Sequence, residues 1–71
     1  MNLKKLNILI VSGGWSDERQ VSIQSGKNVY HSLKANNYKV KIFDLNRDNV
    51  FKIFQNKPDL IFNALHGEFG E

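Results

Sequence analysis

Cysteine is absent from the sequence, which excludes a disulfide scaffold and a thiolate metal site. Long apolar runs are absent as well. None approaches the roughly 18 residues that read as a bilayer-spanning helix. Lys4 and Lys5 precede an apolar stretch, the order found in a secretory leader, but the stretch is short, breaks at Ser12-Gly13-Gly14 and leads into charge. A cytoplasmic location with no membrane partner is therefore the expectation. There is no internal repeat and no low-complexity segment. The balance of 10 Lys and Arg against 7 Asp and Glu gives a net charge of +3. Those cations are scattered, without the basic cluster and interleaved aromatics of a nucleic-acid surface, so no nucleic-acid partner is expected. What remains is an ordinary globular composition in 71 residues, enough for one small domain. A domain of that size buries only about 60% of the surface its unfolded chain exposes, so its stability is marginal unless something packs on it.

The apolar pattern alternates between strand and helix. Leu6 to Val11 is apolar at nearly every position, the signature of a strand covered on both faces. Gly13 to Glu18 reads as a loop, and a helix follows from about Arg19 to Lys34. Ser22, Gly26, Val29 and Leu33 recur at three- and four-residue spacings and share one face of it. Gly26 costs a helix interior up to about 1 kcal/mol relative to alanine, and close approach to a sheet is the expected return. Asn36-Asn37 ends the helix. Tyr38 to Leu45 reads as a second strand, with Tyr38, Val40 and Ile42 to one side and Lys39 and Lys41 to the other, as at a sheet edge. A short helix near Val50 to Gln55, capped by Asp48 or Asn49, has Val50, Phe51 and Phe54 as its expected apolar side. Lys57-Pro58 stops it, and Leu60 to Leu65 forms a third strand. The reading is α/β, a three-layer βαβαβ Rossmann-like unit with a parallel sheet of order 2-1-3.

Ligands of such sheets sit beyond the carboxyl ends of the strands. Two loops lie there, Gly13 to Glu18 and His66 to Glu71, and they hold the unusual residues. Gly13-Gly14 suits a turn that a ligand approaches closely. Ser16 is a candidate helix cap, with Arg19 where a full capping box has Glu or Gln. The loop lacks the third glycine of a dinucleotide fingerprint, and Asp17 and Glu18 repel a pyrophosphate. Those acids suit a cationic group such as an ammonium, or else they simply complement the helix dipole. His66 stands between a strand and a glycine, either as a capping or surface residue or as part of a site. It has no second histidine at metal-ligand spacing. His31 reads as solvated, and Trp15 at a loop tip carries no assignment. A domain that stops in a polar Gly-rich loop, with an apolar strand left at its edge, is expected to be a piece of a larger chain or to be completed by a partner.

Taken together the two loops are more specific. Val11 to Gly26, with Gly13-Gly14, Ser16, Glu18, Val21-Ser22 and Ser25-Gly26, resembles the opening signature of the D-alanine–D-alanine ligases. Phe62 to Glu71, with Leu65-His66-Gly67 and Gly70-Glu71, resembles the second motif of that family. The resemblance covers essentially the whole chain, though the Asp-Gly that follows in the family lies beyond Glu71. It implies that residues 1–71 are the N-terminal substrate-binding domain, a pre-ATP-grasp unit, of a ligase whose central and C-terminal ATP-grasp domains lie outside this sequence. Such an enzyme uses ATP and Mg2+ to convert the first D-alanine to an acyl phosphate. The amine of a second D-alanine attacks it, and the dipeptide enters peptidoglycan synthesis.

The resemblance assigns Glu18 to the ammonium of the first D-alanine and His66 to its carboxylate region, where charge shifts during the reaction. Val21 corresponds to the contact with the substrate methyl, and Ser22 to a polar neighbour. Gly13, Gly14, Gly67 and Gly70 shape the loops, and no metal ligand falls in these residues. Expected partners are D-alanine, the rest of the ligase chain and, by the family's habit, a second copy in a homodimer. Residues 1–71 alone are expected not to turn over. The competing readings are a non-catalytic module that binds a small amino acid or assembles with a partner, a D-alanine–D-lactate ligase, and another ATP-grasp enzyme. The Leu-His-Gly motif disfavours the last.

Overall fold

The computed structural model describes residues 3–66. After a 3-10 turn at Leu3–Lys5, the elements are β1 (Asn7–Gly13), α1 (Arg19–Ala35), β2 (Lys39–Leu45), a 3-10 helix (Val50–Asn56) and β3 (Leu60–Asn63). The sheet is parallel throughout with order β2-β1-β3. This is the expected 2-1-3 arrangement, with the most apolar strand in the middle. No helix among the described residues is long and apolar enough to cross a membrane.

Alternation along β1 divides the core into two layers. Ile8 and Ile10 face α1, where Val40, Ala64, Val29, Tyr30, Leu33 and Tyr38 join them. Leu9 and Val11 face the opposite way and meet Leu45, Phe43, Val50, Ile53 and Leu65. β1 is thus covered on both faces, as its unbroken apolar run requires. The helix packs through the expected stripe, with Ser22 and Gly26 buried and Val29 and Leu33 in contact with the core. Gly26 brings the helix down onto the strand. A methyl carbon built there stands only 2.8 Å from Ser12 Cβ and 3.0 Å from Ser12 Oγ.

Helix α1 ends in a Schellman arrangement. Asn37 takes a left-handed conformation, its N–H donates to Lys34 O at 3.0 Å, and Tyr38 N–H donates to Leu33 O at 3.1 Å. Tyr38 and Leu33 then lie on the same core cluster, as the hydrophobic contact of that motif demands.

Three expectations are corrected. The N-cap of α1 is Glu18, not Ser16, and no side chain caps the helix there. Ser16 instead forms the turn that leads in, its Oγ accepting from Glu18 N–H at 3.2 Å. Asn49 precedes the short helix, but its side chain does not cap it. It accepts from Asn46 N–H and donates to Asp44 O, each at 2.8 Å. The apolar side of that helix is Val50 and Ile53, while Phe51 and Phe54 are 90% and 74% exposed. Three residues per turn, rather than 3.6, explain this: residues 50 and 53 stack on one side, and 51 and 54 are turned away together. Third, β3 stops at Asn63 rather than Leu65, because the Asn63 side chain accepts from Leu65 N–H at 2.9 Å and turns the chain. Along β2, Val40 is buried toward α1 and Ile42 is exposed, as at a sheet edge. Leu60, Ile61 and Phe62 on β3 remain exposed, consistent with an edge strand.

Candidate functional site

Parallel strands place the loops after β1 and β3 side by side. Gly13 and Gly14 have φ of 91° and 80°, a left-handed pair that turns the chain sharply off β1. At Gly13 an added carbon meets the Asp44 carboxylate and stands 2.6 Å from Arg19 Nη1.

Ser22 binds the two loops to α1. Its hydroxyl accepts from Gly13 N–H and donates to Ala64 O, both at 2.8 Å, and its side chain is 0% exposed. Beside it, Ala64 N–H donates to Val11 O at 2.9 Å. Ser16 makes the next bridge. Its Oγ donates to His66 O at 3.2 Å while accepting from Glu18 N–H. One hydroxyl therefore links the backbones of Glu18 and His66, although Ser16 and His66 are 50 residues apart in sequence. Above that bridge, the His66 ring contacts Ser25 through Nε2 at 3.1 Å.

Charges are sorted around the first loop. Arg19 Nη2 donates to Asp44 Oδ2 at 2.8 Å, and Nη1 donates to Gly14 O at 3.0 Å and Leu45 O at 3.4 Å. The hydrogen bond to Asp44, chiefly, raises the guanidinium above its ordinary pKa range. Arg19 is thus spent on bracing the loop against β2. The Glu18 carboxylate is exposed and makes no hydrogen bond or ion pair among the described residues. An acid in that state is available to a cation on a ligand. Val21, one turn into α1, is 51% exposed. Arg47 lies over the Trp15 ring at 5.2 Å, so the loop tip is packed by a cation rather than bare.

Of the expected residues, Glu18, Val21 and His66 are at or near this edge with accessible groups. Ser22 is enclosed, and its hydroxyl is occupied by backbone at both neighbouring loops. Gly67 and Gly70 lie outside the described residues. Sequence reasoning passed over Arg19 as a brace and Ser25 as the partner of His66. The signal for Ser25 was its position three residues after Ser22, on the same helix face.

The first loop does not fit a nucleotide phosphate. Gly13 N–H is taken by Ser22 and Gly14 N–H donates to Leu45 O at 2.8 Å, so neither glycine amide is left to an anion. Asp17 and Glu18 add negative charge to the same turn. Two cavities lie elsewhere. One of about 350 Å³ is at the amino ends of the strands beside Asn7, Lys34 and Lys39, and one of about 310 Å³ is an apolar hollow between Leu33, Tyr38 and Phe62. Neither is lined by Glu18 or His66. Among the described residues the site is an open edge.

Fold and loops define the class: a parallel α/β unit with its polar groups gathered at the carboxyl ends of the strands, where such sheets hold their ligands. The family model described as D-ala D-ala ligase N-terminus matches residues 7–57. A D-alanine–D-alanine ligase of Zymomonas mobilis is 45% identical over 67 residues, which is 94% of this chain and 21% of that protein. The ligase of the same name from Novosphingobium aromaticivorans is 44% identical over 71 residues, all of this chain and 23% of that protein. One from Rickettsia canadensis is 48% identical over 67 residues, 94% of this chain and 19% of its own length. The chain belongs to the D-alanine–D-alanine ligase N-terminus family, and it spans about a fifth of the length of the curated relatives it matches.

Proposed function

We propose that these residues form the amino-terminal part of an ATP-dependent D-alanine–D-alanine ligase and contribute to the site of the first D-alanine. The observation that carries this reading is the Ser16 bridge. It holds Glu18, whose carboxylate has no protein partner among the described residues, next to the segment that carries His66. A free acid suits an ammonium, and an imidazole suits a carboxylate on which charge develops. Val21 supplies an exposed apolar surface in the same helix for a small side chain.

Ser22 acts in this reading by holding the loops, since its hydroxyl is enclosed. ATP and Mg2+ belong to the remaining four-fifths of the ligase, because Asp17 and Glu18 put negative charge where a phosphate would approach the first loop. Residues 1–71 alone therefore do not turn over. The cytoplasm, a homodimer and a role in peptidoglycan synthesis complete the proposal.

The test is ADP release by the intact ligase chain that carries these residues, with ATP and magnesium, on D-alanine against L-alanine. Release that depends on D-alanine supports the proposal. Release with neither amino acid refutes it, and the motifs then sit on a binding module.

A further inference from the structure

The His66 backbone and the His66 ring are held by different residues. The backbone is fixed by Ser16 Oγ on His66 O, by Ser22 on Ala64 O, and by Ala64 N–H on Val11 O. Among the described residues the ring has one hydrogen-bond partner, Ser25 Oγ at 3.1 Å from Nε2, reached across 41 residues of sequence. Ser25 stands one turn after Ser22, so a single face of α1 grips first the loop and then the imidazole.

The direction of that bond decides what the ring offers. A serine inside a helix ordinarily turns its hydroxyl back to the carbonyl four residues earlier. Ser25 makes no such bond, and among the described residues Nε2 of His66 is its hydroxyl's only partner. Nε2 is then the one acceptor that the described residues offer the Ser25 hydroxyl, provided that nitrogen carries no proton. A neutral imidazole that accepts at Nε2 carries its own proton on Nδ1.

From this geometry we infer that Ser25 is a positioning residue that holds His66 as the neutral Nδ1–H tautomer, leaving one N–H donor for an anionic oxygen of the ligand. The inference rests on the proposed role of His66, and it names the group that gives that role a direction. With the opposite tautomer, a lone pair meets the substrate carboxylate and repels it. Ser25 touches no substrate in this scheme. It acts through the ring alone.

The experiment uses the intact ligase chain labelled with nitrogen-15 in histidine, at a pH above the ordinary imidazole range. Ring nitrogen shifts distinguish the two neutral tautomers from the cation, and subtraction of the His66→Gln spectrum assigns the signal. The wild type is expected to show Nδ1–H. In Ser25→Ala that fixed tautomer is lost, and kcat/KM for D-alanine falls about fivefold to tenfold with the unfolding midpoint nearly unchanged. Ser25→Thr, which keeps the hydroxyl, restores both. A wild-type ring protonated at Nε2, or a spectrum that Ser25→Ala leaves as it was, overturns the inference. Absence of D-alanine-dependent ADP release in the wild type sinks the proposed function instead, and the ring spectrum then decides the Ser25 contact by itself.

Discussion

Replacing Ser22 by alanine removes a single oxygen and strands two backbone groups. Gly13 N–H loses its acceptor and Ala64 C=O loses its donor, both in buried residues. An unsatisfied buried group costs about 1–3 kcal/mol, because water does not reach it to replace the missing partner. Two such groups cost roughly 2–6 kcal/mol, and alanine's better helix propensity returns about 0.5 kcal/mol. The net loss is then on the order of 2–5 kcal/mol, or at least tenfold in the folded-to-unfolded ratio of this region. The loss is local to the seam between the two loops. Hydrogen exchange followed by mass spectrometry on peptides spanning residues 10–16 and 60–66 reads it directly, since Gly13 N–H and Ala64 N–H sit in them. Both peptides are expected to lose protection in Ser22→Ala, while the far half of α1 keeps its own. The seam also aligns Glu18 with His66, so KM for D-alanine rises with the loss of protection. Unchanged exchange in both peptides, or a change below about 0.5 kcal/mol, would mean that the hydroxyl does not hold the loops.

Gly26→Ala sets helix propensity against contact. Alanine favours the helix by about 1 kcal/mol, but its methyl stands 2.8 Å from Ser12 Cβ, and overpacking of that kind costs about 1–3 kcal/mol. A lower midpoint in chemical denaturation is expected, and Gly26→Ala as a stabilising change would refute the close approach. Glu18→Gln keeps the shape and removes the counter-charge of the proposed ammonium. It should reduce kcat/KM for D-alanine tenfold or more, from a charged hydrogen bond of about 1.5–3 kcal/mol, with thermal stability unaltered because the carboxylate has no partner to lose among the described residues. Unchanged steady-state kinetics would remove Glu18 from the site. His66→Gln should lower kcat/KM as well, and a variant that lost only stability would make the residue structural.

The main lines of the fold are legible in the sequence wherever one period governs a long element. The stripe of Ser22, Gly26, Val29 and Leu33 locates the buried face of α1, and the run Leu6 to Val11 locates the central strand. Short elements misled for a physical reason. Seven residues from Val50 to Asn56 do not announce whether they wind at 3.0 or 3.6 per turn, and that choice decides whether Phe51 or Ile53 faces the core. Cap identity also escaped, since Ser16 and Glu18 both fit the composition of a helix start. At the candidate site, the proposal of Glu18 and His66 comes from the resemblance of their loops to a known family. The meeting of Arg19 with Asp44, 25 residues away, leaves no local trace, and for Ser25 the helix face shared with Ser22 is legible while its partner His66, 41 residues away, is not.

The parallel register has a consequence for the order in which the molecule comes together. In a parallel sheet every strand pairing spans a crossover, so the contacts that join the two loops of this site are long-range in sequence. β2 reaches β1 after one helix, whereas β3 reaches it only after a second crossover. The closing contacts are Asp59 N–H on Asn7 O at the amino end and Ala64 N–H on Val11 O at the carboxyl end. Long loop closures come late in folding, because their entropy is lost before any contact is gained. A ribosome that has delivered only β1, α1 and β2 has made Glu18 without its neighbour. The candidate edge is complete only when β3 has docked and carried His66 to Ser16 and Ser25.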